Sequence, residues 1–249
     1  MFSHRDPRRV LVVGGGDGGV IREVCKHGGV QAATLCEIDP EVISAARRYF
    51  PAMASALDDP RVTVNVGDGV AFLAAAADSS YDIIIIDSSD PVGPGKKLFT
   101  PRFYRNVHRV LAPGGIVCSQ GESMWVKLDL VRNMIKQHGE PFFSAEYASI
   151  QVPTYLGGQI GAFIARKADP AQPQLEASCQ KPLRRPWGMD LRYYSAAMHS
   201  AAFQLPEFVQ KQLYTKRTDR AEGPRDGSPP TCASALRRLV KMLFWCDGQ

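Results

Sequence analysis

The sequence predicts an α/β fold with a doubly wound, mostly parallel β-sheet. Short apolar runs alternate with segments of helical periodicity along most of the chain. Several of these runs are apolar throughout, which is typical of strands buried on both faces. Acidic or glycine residues follow each of the first four runs, and open α/β sheets bind their ligands at this edge.

The elements follow one another in the order that such a sheet requires. The predicted strands are 9–13, 32–39, 61–66, 81–87 and 115–119, with two further β-rich segments near 143–152 and 158–166. The predicted helices are 18–28, 40–49, 70–77, 101–111 and 126–138. Pro40 suits the first turn of its helix. Glycine and proline predict a loop at 88–95 and a turn at 111–115.

The C-terminal third differs in composition from the rest of the chain. Residues 166–249 carry 14 Lys and Arg against 8 Asp and Glu, which makes this part basic. Residues 219–234 are rich in Gly, Pro, Asp and Ser and are predicted to be disordered, whereas 236–245 has the pattern of a short amphipathic helix. We therefore expect a domain at 1–213 and a basic, partly disordered tail at 214–249.

Composition excludes several classes of protein. The 6 cysteines form no CxxC pair and no zinc-ligand spacing with histidine, so we expect no metal and reduced thiols in a cytoplasmic protein. No apolar run approaches the roughly 18 residues of a membrane span, and no secretory signal is recognisable. The basic tail lacks a stripe of interleaved aromatic residues, so we expect no nucleic-acid partner.

The turn after the first strand reads Gly14-Gly15-Gly16-Asp17-Gly18-Gly19. Glycines at positions such as Gly14 and Gly16 let the backbone turn sharply and approach a ligand closely. Asp17 is unusual there, because a carboxylate repels a dinucleotide pyrophosphate but attracts an amine or sulfonium cation. This acid disfavours an NAD-dependent dehydrogenase and favours a cationic nucleoside.

Acids follow the next two strands as well. Glu37, about 20 residues after the glycine turn, is placed to accept hydrogen bonds from both ribose hydroxyls. Asp39 is its neighbouring competitor at the same strand end. Asp68, between two glycines, is placed to accept a hydrogen bond from an adenine amino group. A solvated or turn-capping acid is the alternative interpretation of each.

The fourth strand ends in Asp87-Ser88-Ser89-Asp90, the most informative stretch of the sequence. Two carboxylates three residues apart can bind a protonated amine, and one of them can remove its proton. Gln120 and Tyr155 offer further polar groups for an amine. Four other aromatic residues are predicted to serve in packing: Trp125, Trp187, Tyr193 and Tyr194.

These motifs together resemble the polyamine aminopropyltransferase family, and within it the spermidine synthases. The resemblance extends from about Ser3 to Leu213. The stretches that carry it are 12–19, 36–39, 67–69, 87–94, 120–122, 153–155, 158–161 and 201–206. The resemblance implies the Rossmann-like fold of the S-adenosylmethionine-dependent methyltransferases and a possible homodimer. It also implies that an N-terminal β domain usual in the family does not precede these motifs here.

The resemblance further implies a reaction and a set of roles. The aminopropyl group of decarboxylated S-adenosylmethionine, a co-substrate rather than a tightly bound cofactor, passes to putrescine and gives spermidine and methylthioadenosine. The implied nucleoside-side residues are Gly14, Gly16, Asp17, Glu37, Asp68 and Gly69. The implied acceptor-side residues are Asp87 as general base, with Ser88, Ser89, Asp90, Gln120 and Tyr155.

Two alternatives stay open at this point. The chain would be another aminopropyltransferase or a putrescine methyltransferase if its acceptor or donor preference differed. It would be a catalytically inactive homologue acting as a partner subunit if the expected N-terminal domain were indispensable.

Overall fold

A computed structural model describes residues 1–88, 93–172, 178–184, 186 and 188–214. Met1–Tyr214 forms one compact unit. The predictions for Ser89, Asp90, Trp187 and nearly all of the tail 214–249 fall outside the described residues.

One seven-stranded sheet forms the centre of the described part of the chain. Its strands are β1 (Arg9–Gly14), β2 (Ala32–Glu37), β3 (Val62–Val66), β4 (Tyr81–Asp87), β5 (Leu111–Gly121), β6 (Ser144–Gln151) and β7 (Gln159–Arg166), in the order β3-β2-β1-β4-β5-β7-β6. The first five are parallel, and β7 lies antiparallel between β5 and β6. The predicted fold class, a mostly parallel α/β sheet, is confirmed.

The sheet separates two hydrophobic cores. Alternate side chains of a strand point to opposite faces, so Leu11 and Val13 of β1 join one core and Val10 and Val12 join the other. Helices cover both faces, as the uninterrupted apolar runs predicted. They are α1 (Gly19–Cys25), α2 (Pro40–Tyr49), α3 (Pro51–Ala54), α4 (Gly69–Ala75), α5 (Pro101–Val110), α6 (Leu128–Asn133), α7 (Ala196–Ala201) and α8 (Glu207–Tyr214).

Polar side chains at the helix starts fix where three helices begin. Asp39 accepts a hydrogen bond from the amide of Glu41 and caps α2, with Pro40 in the first turn. Asp68 caps α4 and Thr100 caps α5 in the same way. Because two of these caps directly follow strands, they also fix the route of the chain past the carboxyl edge of the sheet.

Some local predictions were wrong. Residues 111–115 are not a turn that precedes a strand but part of β5, where they form a large bulge between the Leu111 and Ile116 pairings with β4. The helix predicted at 126–138 is confirmed: it begins at Leu128, and its last turn, Met134–His138, is π-helical. The loop predicted at 88–95 gives way to a 3-10 helix at Gly93–Phe99. Local sequence patterns do not contain the pairings that decide these features.

The predicted packing aromatics divide into two groups. Tyr194 does pack, with its ring stacked on Phe2 at a centroid distance of 4.2 Å. Trp125 is 52% exposed but packs its ring against Phe208 at a centroid distance of 5.6 Å, whereas Tyr193 was wrongly assigned to packing, because 56% of its surface is exposed. Across the described ranges, no helix is both long and apolar enough to cross a membrane.

The hydrogen bonds from Arg109 on α5 to the end of α4 can be tested by substitution. Its guanidinium donates to the carbonyl oxygens of Leu73 and Ala76, each at 2.8 Å, where α4 ends. We expect Arg109→Met to lower the free energy of unfolding by about 1–3 kcal/mol, because helix-end carbonyls lose charged donors. Urea denaturation measures the change.

Arg105→Met is the matched control, since Arg105 lies on the same helix and is exposed. It should change stability by no more than about 0.5 kcal/mol. Equal effects of the two substitutions would contradict a specific contribution from the Arg109 contacts.

Candidate active site

A cavity of about 600 Å³ opens at the carboxyl ends of the central parallel strands. It collects the predicted site residues that the structure describes, although they are distant in sequence. Those lining it are Gly14, Gly16, Asp17, Glu37, Asp68, Gly69, Asp87, Ser88, Gln120 and Tyr155. Ser89 and Asp90 lie outside the described residues. The edge predicted from the strand ends is therefore the edge where the cavity lies.

The glycine turn comes into direct contact with the end of β4. Gly14 pairs with Asp87 across the sheet and has a φ of +80°. A Cβ atom on Gly14 would lie 2.1 Å from the Asp87 carbonyl oxygen, and one on Gly15 would lie 2.9 Å from the Asp87 carboxylate. Only glycine satisfies both the left-handed backbone and this approach.

Glu37 connects the glycine turn to β2. Its side chain is buried, and its carboxylate accepts hydrogen bonds from the amides of Gly16 at 3.1 Å and Asp39 at 3.0 Å. A Cβ on Gly16 would lie 2.6 Å from the Glu37 Cγ atom. A carboxylate has about four acceptor positions, so Glu37 is fixed in orientation and retains capacity for a ligand.

Asp17 and Asp68 each accept a backbone hydrogen bond and also line the cavity. Asp17 accepts a hydrogen bond from the Gly19 amide at 2.8 Å, and Asp68 accepts one from the Val70 amide at 2.7 Å. Each acid thus stabilises the start of a helix and still lines the cavity. Asp39 also caps a helix, α2, but its side chain is exposed and does not line the cavity.

The surroundings of Asp87 raise its pKa above the ordinary value of an Asp side chain. Burial raises its pKa, and the neighbouring charges of Asp17 and Glu37 raise it further. Next to it, the buried Ser88 Oγ has no hydrogen-bond partner among the described residues. A carboxyl group with a raised pKa is better suited to hold a proton during a reaction than an ordinary surface Asp.

The opposite wall of the cavity comes from the antiparallel part of the sheet. Gln120 lies near the end of β5, and Tyr155 lies in the hairpin between β6 and β7 with 47% of its surface exposed. Sequence reasoning missed the apolar part of the lining, which includes Val13, Ile38, Val42 and Leu98. Ile38, an apolar residue between two acids at a strand end, was the signal that could have revealed it.

The arrangement suits a cation with an apolar or planar portion. Three carboxylates, those of Asp17, Glu37 and Asp87, interact through one cavity. Such a cluster attracts positive charge and disfavours a phosphate. In the ranges that the structure describes, no group of three or more His, Cys, Asp and Glu side chains is arranged to hold a metal ion.

Comparison with known proteins gives consistent matches. The family described as "Spermine/spermidine synthase domain" matches residues 1–175. Spermidine synthase 2 of Arabidopsis thaliana is 42% identical to this chain. The match covers 87% of this chain and 65% of the Arabidopsis protein. The spermidine synthase of Dictyostelium discoideum is 44% identical over 86% of the chain and 73% of its own length.

A solved structure is similar as well. A spermidine synthase in complex with the transition-state analogue AdoDATO superposes with a TM-score of 0.75 at 32% identity. The similarity covers 85% of this chain and 71% of that one. The part of the chain that the family match covers, residues 1–175, contains all seven strands and the residues that line the cavity.

The contact between Gly14 and Asp87 can be tested by substitution. We expect Gly14→Ala to lower the free energy of unfolding by about 2 kcal/mol or more, because a Cβ there collides with backbone and the φ is unfavourable for alanine. Chemical denaturation gives the value.

Gly28→Ala is the control, because a Cβ at Gly28 meets nothing within 4 Å. This variant should stay within about 0.5 kcal/mol of the parent. A Gly14→Ala protein as stable as Gly28→Ala would refute the close approach.

Proposed function

We propose a reaction for this chain, which belongs to the spermine/spermidine synthase family: it transfers the aminopropyl group of decarboxylated S-adenosylmethionine to putrescine. The products are spermidine and methylthioadenosine. We assign this activity to residues 1–213 and regard 214–249 as a basic tail outside the catalytic domain.

The observation that carries the proposal is the meeting of Asp17, Glu37 and Asp87 in one cavity, with the pKa of Asp87 raised by burial and by the other two acids. A donor with both a sulfonium and a free ammonium places two positive charges among these carboxylates. Ordinary S-adenosylmethionine carries a carboxylate as well, which Asp17 would repel. The acids therefore support the decarboxylated donor.

The nucleoside half of the donor fits the parallel strands. Glu37 is held by two backbone amides and has acceptor positions left for the ribose hydroxyls. We propose that Asp68 and Gly69 bind the adenine amino side, with Ile38 and Val42 against the ring. Gly14 and Gly16 allow the backbone to approach the donor, and Asp17 binds the aminopropyl ammonium.

The acceptor is proposed to bind between Asp87 and the wall formed by Gln120 and Tyr155. Ser88 follows Asp87 at the end of β4 and also lines the cavity. Ser89 and Asp90, which fall outside the described residues, complete the proposed acceptor set on sequence grounds. Two amine ends four carbons apart need two acidic or polar anchors, and Asp87 and Asp90 supply them in this proposal.

The reaction needs a base and no covalent enzyme intermediate. The neutral amine of putrescine attacks the carbon next to the sulfonium, the carbon–sulfur bond breaks, and methylthioadenosine leaves uncharged. The proton lost by the attacking amine passes to Asp87. Burial and the two neighbouring carboxylates favour the protonated form of Asp87, which assists this transfer.

A homodimer and a cytoplasmic location are part of the same proposal. The exposed aromatic residues Trp125 and Tyr193 support a surface that another subunit covers. Four cysteines in the described ranges, Cys25, Cys36, Cys118 and Cys179, are free thiols, which supports a reducing compartment. Analytical ultracentrifugation tests the dimer.

A direct assay tests the proposed activity. The purified chain is incubated with decarboxylated S-adenosylmethionine and putrescine, and methylthioadenosine is measured by chromatography. Product formation supports the proposal. Turnover with ordinary S-adenosylmethionine alone would instead identify a methyltransferase, and donor binding without turnover would identify an inactive homologue.

Donor choice is predicted to depend on Asp17. In Asp17→Asn the side-chain oxygen can still accept from the Gly19 amide, but the negative charge is lost. We expect the affinity for the decarboxylated donor, measured by calorimetry, to fall about 10-fold or more relative to that for ordinary S-adenosylmethionine. Asp129→Asn, at an 81% exposed side chain, serves as the control. An unchanged affinity ratio in Asp17→Asn would rule out this role.

The Asp87 carboxylate is predicted to be needed for catalysis and to lower the free energy of unfolding at neutral pH. Asp87→Asn should lower kcat by roughly 100-fold or more, the range for loss of a general base. Because the folded-state pKa of Asp87 lies above its unfolded value of about 3.9, its ionisation destabilises the fold as the pH rises through this interval.

The Asn variant lacks that ionisation. Its free energy of unfolding should exceed that of the parent at neutral pH, and the difference should vanish below the ordinary Asp pKa. Denaturation across this pH range measures both. A fully active variant, or a variant less stable at neutral pH, would contradict the assignment.

A further inference from the structure

A buried polar network lies behind the acceptor wall of the cavity. It consists of Tyr147 on β6, Gln159 at the start of β7 and Ser123 after β5, which are 1%, 2% and 9% exposed. None of these three described side chains lines the cavity itself. We call them the clamp residues.

The Tyr147 hydroxyl is the centre of this network. It donates to the Glu122 carbonyl oxygen at 2.6 Å and accepts from the Met124 amide at 3.1 Å and from Gln159 Nε2 at 3.2 Å. A hydroxyl has one donor and two acceptor positions, so its hydrogen-bonding capacity is fully used. Buried polar groups in this state resist displacement, because breaking one bond leaves a desolvated group unpaired.

Gln159 extends the network to the same segment from a second direction. Its Oε1 atom accepts from Ser123 Oγ at 2.9 Å. Tyr147 and Gln159 together therefore hold the short segment 122–124, which directly follows Gln120 and Gly121. The chain leaves β5 here, and no sheet pairing beyond Gly121 holds it.

The backbone is shaped to permit this connection. Tyr147 must reach across β7 to contact the segment after β5, and it passes over Gly161. A Cβ on Gly161 would lie 2.1 Å from the Tyr147 ring. Gly121 in turn approaches the backbone of Gly161, where its own Cβ would lie 3.3 Å away. Gly161 thus leaves room for the Tyr147 ring, and Gly121 lies close to the backbone of β7.

The clamp joins the two parts of the chain that carry the proposed acceptor contacts. Gln120 precedes the clamped segment by two residues. Tyr155 lies in the hairpin that ends at Gln159 and is closed by the hydrogen bond from the Val152 amide to the Gly158 carbonyl at 2.9 Å. Because Tyr155 is half exposed, the hairpin needs an anchor at its base to hold it against the cavity.

We propose that Tyr147, Gln159 and Ser123 are positioning residues that set Gln120 and Tyr155 relative to each other and thereby determine affinity for the acceptor diamine. The inference rests on the proposed function for the identity of that acceptor. The donor half is held by separate contacts, those of Glu37 with Gly16 and of Asp17 with Gly19, so loosening the clamp leaves donor binding intact.

Two substitutions test the clamp through steady-state kinetics. Tyr147→Phe removes the hydroxyl and keeps the ring, and Gln159→Met keeps the side-chain length without the amide. We expect each to lower kcat/KM for putrescine by about 10- to 100-fold, the cost of misplacing binding groups by about 1 Å. The loss should appear mainly as a higher KM, since binding groups act on ground and transition states alike. Methylthioadenosine affinity, measured by calorimetry, should stay within about twofold.

Tyr81→Phe is the matched control. The Tyr81 hydroxyl donates to Thr34 Oγ1 at 3.2 Å near the opposite end of the strands, so its loss removes a partly buried hydrogen bond far from the clamp. It should leave kcat/KM unchanged. An unchanged KM in Tyr147→Phe, a parallel loss of methylthioadenosine affinity, or an equal effect of Tyr81→Phe would overturn the proposal.

Hydrogen exchange supplies a readout that does not depend on turnover. In both clamp variants, amides in 122–125 and 152–158 should exchange faster than in the parent, whereas those in 14–19 should not change. Unchanged exchange at 122–125 and 152–158 would refute the clamp even in an active enzyme. If the parent forms no methylthioadenosine, the proposed function fails. The clamp is then still decided by comparing hydrogen exchange and calorimetric putrescine affinity between the parent and the two clamp variants.

Discussion

The contact between the glycine turn and the ends of β2 and β4 is the constraint on which the cavity depends. Gly14 lies against the Asp87 main chain, and Gly16 donates to the Glu37 carboxylate. Each contact needs the absence of a side chain. Together they bring acids from three separate strands to one place, so the geometry of the site is a consequence of backbone packing and is fixed before any ligand binds.

Bringing these carboxylates close together costs electrostatic free energy through their mutual repulsion. This repulsion determines which charge a ligand of the cavity should carry. Asp87 ionises less readily because it is buried and because Asp17 and Glu37 are nearby. A cation among these carboxylates would relieve that repulsion, so the same charges support the proposed sulfonium and amine ligands. Asp68 caps α4 and Asp17 accepts a hydrogen bond from the Gly19 amide, and these hydrogen bonds hold both carboxylates in place. Stability and ligand preference are therefore coupled through the same few side chains.

The two halves of the cavity are built differently. The proposed donor half relies on parallel strands whose ends are joined by backbone-to-carboxylate hydrogen bonds. The proposed acceptor half relies on the antiparallel β5, β7 and β6, where Tyr147 crosses over Gly161 to hold the segment beyond β5. Because the two sets of contacts share no residue, substitutions in one half are expected to leave ligand affinity in the other half unchanged.

The sequence by itself determined the strands, the Pro40 helix, the glycine turn and the acids at the strand ends, because apolar runs, prolines and glycines act on the chain locally. It left Glu37 and Asp39 as competitors at one strand end, and only the structure shows that Glu37 lines the cavity while Asp39 caps α2. Only the tertiary structure decided the strand order, the bulge within β5 at 112–115, and the network of Tyr147, Gln159 and Ser123. These features depend on which distant segments pair. The sequence does not show whether a glutamine or tyrosine will be buried next to a hydrogen-bond partner from another strand.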